Sequence, residues 1–122
     1  MSQSEHDVLA SAILVTTCPE LAEKVQAEIN RQASYLSRKE NHRKVPMNEY
    51  GAVLLCDTRE EAVVLANMVA PEHLEVLMEN PMELLGALDN AGSVFLGAYA
   101  SEPLGDYYAG PNHVLPTSGT AR

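Results

Sequence analysis

A chain of 122 residues, 46% of them apolar, is long enough to bury a core as one domain without disulfide or metal staples. Its formal net charge of −9 argues against a nucleic-acid surface, and no apolar run approaches the ~18 residues a membrane helix requires. Neither nucleic acid nor membrane is therefore an expected partner. Cys18 and Cys56 have neither metal-type nor redox spacing and no secretory signal pattern is present, so a reduced, cytoplasmic setting is expected.

Along the chain one syntax repeats. "SAILVT" at 11–16 is a short apolar, β-branched run of the kind a buried strand uses. Thr17 then offers a helix cap, with Glu20 completing a capping box and Pro19 in the first turn. Leu21, Val25 and Ile29 recur every four residues and predict the buried face of that helix. Residues 36–50 are less legible, with a short helix expected before Pro46; their basic cluster "RKENHRK" reads as a solvated loop or helix end.

"GAVLLC" at 51–56 predicts a second strand, and Asp57 or Thr58 a cap for a helix through "EEAVVLANMVA". "LEVLM" at 74–78 predicts a third strand. Asn80, Pro81 and Glu83 then open a helix containing Leu84, Leu85 and Leu88, which Gly92 stops. "SVFLG" at 93–97 predicts a fourth strand. Strands alternating with helices imply right-handed crossovers and a parallel sheet. The expected fold is α/β: a three-layer, Rossmann-like parallel sheet with flanking helices, plus an irregular C-terminal active-site segment. One domain is expected over 1–122, with a metal-motif segment at 1–10, a βαβ core at 11–97 and an active-site loop region at 98–122. The last 22 residues carry three Gly and three Pro and predict no helix or strand, yet they hold aromatic and apolar residues that a merely disordered tail lacks.

Several side chains offer chemistry. Glu72 and His73 sit side by side behind Pro71, which pushes Ala70 out of helical geometry and sets a turn at a helix end. They are either solvated residues at a strand edge or a pair of proton-transfer groups at the lip of a pocket. Asp106 and His113 lie seven apart in the irregular tail, as a turn former and a solvated His or as ligand-facing groups. Gln3 and His6 share a face if their segment is helical, but two residues make no metal site. The glycine-rich phosphate loops G-x-G-x-x-G and G-x-x-x-x-G-K-[ST] are absent.

Four stretches carry a resemblance: "QSEHD" at 3–7, "APEHLE" at 70–75, "NAGSVFLG" at 90–97 and "GDYYAGPNHVLPTSGTAR" at 105–122. Together they resemble the histidinol dehydrogenases, over essentially the whole chain and most specifically over the last 18 residues. Residues 31–50 are only loosely similar, and Ala100-Ser101 stand where the family usually has Ser-Pro.

The resemblance implies an enzyme that oxidises L-histidinol to L-histidinal and then to L-histidine, with two NAD+ and a zinc ion, as a homodimer whose subunits share active sites. It implies Gln3, His6 and Asp106 as zinc ligands, with a further His ligand elsewhere in the complete enzyme, supplied by the partner subunit. It implies Glu72 and His73 as the acid–base pair, and Gln3, His6, His73, Asp106 and His113 at the substrate. The family's chains are several times longer, so these residues are expected to be an inner portion of the enzyme, inactive alone and without its NAD-binding residues. The competing expectation is a standalone, non-catalytic α/β module that binds a small imidazole ligand or a metal.

Overall fold

The computed structural model describes residues 10–33 and 50–110, the side chains of Ala33 and Asp106 excepted. The expected helix before Pro46 lies outside the described residues. The chain divides into two compact units, Met1–Arg59 and Glu60–Arg122.

In the first unit, strand β1 (Ala12–Thr16) is followed by helix α1 (Pro19–Ala33) and strand β2 (Gly51–Leu55). The two strands run parallel, from Ala12 opposite Gly51 to Thr16 opposite Leu55. Parallel neighbours need a crossover of a dozen or more residues. Here α1 is part of that crossover and packs on both strands. The ladder continues one residue past β2, where the Cys56 amide donates to the Thr16 carbonyl at 3.0 Å and the thiol lies 3.4 Å from the same oxygen. Cys56 is buried there.

Two details of α1 differ from the sequence expectation. Its first helical bond runs from the Ala22 amide to the Cys18 carbonyl, and the hydroxyl used at this turn is that of Thr16, accepting from the Cys18 amide at 3.1 Å. The half-buried positions are Ala22, Val25, Ile29 and Gln32, while Leu21 is exposed. A spacing of three, four and three follows the 3.6-residue turn, and Leu21, in the first turn, lies at the edge of that stripe, about 60° from its centre. Arg31 and Gln32 donate to the exposed Glu28 carboxylate and hold its pKa down to about 2.

The second unit holds helix α2 (Arg59–Val69), strand β3 (His73–Val76), a 3-10 helix (Pro81–Ala87), strand β4 (Ser93–Leu96) and a short helix α3 (Glu102–Tyr107). Strands β3 and β4 are parallel, with His73 opposite Ser93 and Val76 opposite Leu96. Strand alternation gives this pair two unlike faces. Leu74, Val76, Val94 and Leu96 form an apolar one, on which Val76 is buried; His73, Glu75, Ser93 and Phe95 form the other.

Helix α2 ends where the sequence predicts. Ala70 closes it, donating to the Ala66 carbonyl at 3.0 Å, and takes a left-handed φ of 50° before Pro71. A left-handed residue followed by proline is an ordinary helix stop, although an alanine there pays about 1–2 kcal/mol that glycine would not. Ala70 is 3% exposed, so its methyl is packed, which offsets part of that strain.

Three elements depart from expectation. Strand β3 begins one residue early, at His73, and stops before Leu77, which is exposed. The crossover from β3 to β4 is a seven-residue 3-10 helix ending at Ala87, and Leu88 falls outside it. An α-helix running through Leu88 would draw the next amides, those of Asp89 and Asn90, towards the carbonyls four residues back. Both instead donate to the Asn67 side-chain oxygen, at 2.9 and 3.3 Å. Finally, α3 forms in a segment expected to be irregular. Ser101 occupies its extended N-cap, a proline stands in its first turn, and the Leu104 carbonyl accepts from Tyr108 and Ala109 before Gly110 turns the chain with φ 94°.

Candidate active site

The Pro71–Glu72–His73 corner is held by its backbone. The Pro71 carbonyl accepts from Gly92 at 3.0 Å and the Glu72 carbonyl from Ser93 at 2.8 Å, so the corner is already zipped to the chain entering β4. Glu72 is exposed, one residue before the strand, and His73 is half-buried as the first residue of β3. A pair in which one member meets water and the other is partly shielded suits two different proton-transfer tasks.

A second clamp lies behind this corner. Asn67, on the last turn of α2, donates its side-chain amide to the Ala87 carbonyl at 2.8 Å and accepts from Asp89 and Asn90. Asn90 returns a bond to the Asn67 carbonyl at 3.1 Å. The two asparagines therefore fix residues 87–90 against the helix that delivers Pro71, while backbone bonds hold residues 92–93 against the corner itself.

On the face that carries His73, the imidazole packs against Phe95 with ring centroids 6.1 Å apart and planes tilted by 32°. Register explains the meeting: Phe95 stands opposite Glu75, which puts it diagonally across from His73. Helix α3 approaches the same ring. A Cβ on Gly105 would sit 3.4 Å from Phe95 Cε1, so the backbone of α3 lies over this face of the sheet. Asp106 is the next residue on that helix.

Of the candidates named from sequence, the second unit thus brings together Glu72, His73 and the backbone carrying Asp106. Gln3, His6 and His113 lie outside the described residues, as does the side chain of Asp106. Sequence reasoning missed Asn67, Asn90, Phe95 and Gly105. Asn67 left one signal, a polar residue inside an otherwise apolar helix pattern just before Pro71; the role of Phe95 depends on strand register and left none.

Comparison with known proteins decides the family. The sequence model of histidinol dehydrogenase matches residues 1–122. The chain belongs to the histidinol dehydrogenase family. Among curated histidinol dehydrogenases it is 61% identical to that of Caldanaerobacter subterraneus subsp. tengcongensis and 59% identical to that of Clostridium acetobutylicum, each over all 122 residues. The chain spans 28% of the length of these relatives. A crystal structure of histidinol dehydrogenase from Elizabethkingia anophelis superposes with a TM-score of 0.83 at 34% identity, covering 97% of this chain and 27% of that one. Parallel strand pairs with helical crossovers agree with that fold, so the α/β expectation holds. No helix among the described residues is long and apolar enough to cross a membrane.

Proposed function

We propose that these 122 residues are a portion of an enzyme that oxidises L-histidinol through L-histidinal to L-histidine with two NAD+, in the cytoplasm and as a homodimer with shared active sites. The observation that carries this reading is the corner at the head of β3. A half-buried His and an exposed Glu are held there by two backbone bonds, and the His shares its face of the sheet with Phe95, which the helix bearing Asp106 meets at Gly105.

The conversion consumes one water and releases two hydrides and three protons per alcohol carried to carboxylate. His73 takes the hydroxyl proton as the alcohol carbon loses its first hydride. Glu72 takes a proton from water as its oxygen adds to the aldehyde carbon, and the hydrate then loses the second hydride. Such proton transfers are each worth typically 10²–10⁴-fold. When bound, NAD+ accepts each hydride, and zinc supplies a positive centre that fixes the imidazole and amine of the substrate.

The donor set suits that metal by its chemistry. A His nitrogen and an Asp carboxylate, from His6 and Asp106, are ordinary zinc donors, and the Gln3 amide oxygen is a weaker one. Among the described residues no group of three or more His, Cys, Asp or Glu converges as a metal site. We assign the zinc positions to Gln3, His6 and Asp106, with a further His from the partner subunit, and a substrate contact to His113.

The test is turnover. A full-length graft, in which these 122 residues replace the matching segment of the 61%-identical Caldanaerobacter enzyme, is expected to form two NADH per histidinol, and the isolated chain none. An inactive but folded, zinc-loaded graft would overturn the reading.

A further inference from the structure

We propose that Phe95 is a positioning residue for the first proton transfer: its ring, packed against the His73 imidazole and against the backbone of α3 at Gly105, sets the orientation in which His73 meets the substrate hydroxyl. The inference rests on the functional reading above and extends it to a residue that itself moves no proton.

Three observations converge on Phe95. It stands on the polar face of the β3–β4 pair, beside Ser93 and opposite Glu75, where an aromatic is not needed to fill the apolar side. Its ring centroid is 6.1 Å from that of His73, within the range of a tilted aromatic pair. It also meets the one part of α3 that has no side chain, since even a methyl on Gly105 would press on Cε1 at 3.4 Å. An imidazole that is the first residue of its strand has sheet on one side only. Without the ring beside it, the side chain gains rotamers that point away from the substrate, and misplacement of about 1 Å can cost on the order of 100-fold in rate.

Glu72 precedes the strand and is exposed, outside the ladder that sets Phe95 diagonally across from His73. Loss of Phe95 therefore falls on the His73-dependent oxidation, whereas general damage to the site falls on both.

The experiment follows the two half-reactions of the full-length, zinc-loaded graft, with histidinol and with histidinal. Phe95→Leu is expected to lower kcat for histidinol oxidation by about 10- to 100-fold, with KM little changed and histidinal oxidation much less affected. Phe95→Tyr, which keeps the ring, is expected to restore most of the rate. Gly105→Ala, which presses on the ring without removing it, moves the same half-reaction in the same direction by less, and decides the matter if Phe95→Leu fails to fold. The proposal is overturned if the Leu variant keeps the parental histidinol rate, if it depresses both half-reactions equally, or if Tyr fails to rescue. A His73→Ala control separates the two readings. If it spares histidinol oxidation, the assignment of His73 as base fails. If it abolishes that step while Phe95→Leu and Gly105→Ala spare it, only the role of Phe95 fails.

Discussion

The two units solve the same topological problem in different ways. In the first, both faces of both strands are apolar or small, and a 15-residue α-helix lies in the crossover. In the second, the strands have one apolar and one polar face, and the crossover contains a seven-residue 3-10 helix. The first is a scaffold specified by hydrophobic pattern, its strands reading as continuous apolar runs although Ile13 and Leu55 are exposed. The second is specified by particular hydrogen bonds, above all those of Asn67. His73 lies on the polar face, which α3 approaches at Phe95.

The contrast can be broken most severely at Asn67. Asn67→Ala removes an acceptor shared by two backbone amides and a donor to the Ala87 carbonyl. A loss of about 0.5–1.5 kcal/mol is expected, the net worth of typical hydrogen bonds whose partners water can reach. Asn30, exposed on α1, is the matched control, and Asn30→Ala is expected to change stability by less than about 0.5 kcal/mol. Denaturant unfolding of the graft checks both, and amide exchange at Asp89 and Asn90 localises the first. Equal effects would show that the second unit is held by pattern after all.

A smaller effect sharpens the scaffold side. The bonds from Arg31 and Gln32 depress the Glu28 pKa from 4.5 to about 2. With the folded pKa below the unfolded one, the associated stabilisation is present above pH ~4.5 and is lost as pH falls towards 2. Arg31→Ala is expected to bring the Glu28 carboxyl titration back towards 4.5, read by NMR, with little change in stability at neutral pH because the pair is exposed. A midpoint that stays near 2 would assign the shift to another partner.

The same contrast explains what was legible in the sequence. Strands β1 and β2 and helices α1 and α2 follow from apolar runs and spacing, each within a residue or two of its observed bounds, whereas the Thr17 cap expected for α1 is replaced by a turn at Thr16. The element at 81–87 was misjudged because its apolar residues suit an α-helix, while its geometry depends on an asparagine on another element, 20 or more residues away. Helix α3 was hidden by its proline and its glycine, which are helix breakers by propensity but here stand in the first turn and against Phe95. Glu72 and His73 were visible as a proline-led turn carrying two proton-transfer groups. Their relation to α3 was not, since it follows from the diagonal placement of His73 and Phe95 across a parallel ladder.

The central claim is that Glu72 and His73 do separate work at one corner. Its most direct test is to measure both half-reactions of the graft, with histidinol and with histidinal, for His73→Ala and for Glu72→Gln. His73→Ala is expected to slow histidinol oxidation by about 10²–10⁴-fold, and Glu72→Gln to slow histidinal oxidation more than the first step. Because the neighbours share a corner, their effects should not add, so each half-reaction must be followed on its own. Histidinal oxidation at the parental rate in Glu72→Gln would contradict the account and return Glu72 to a solvated carboxylate beside a strand.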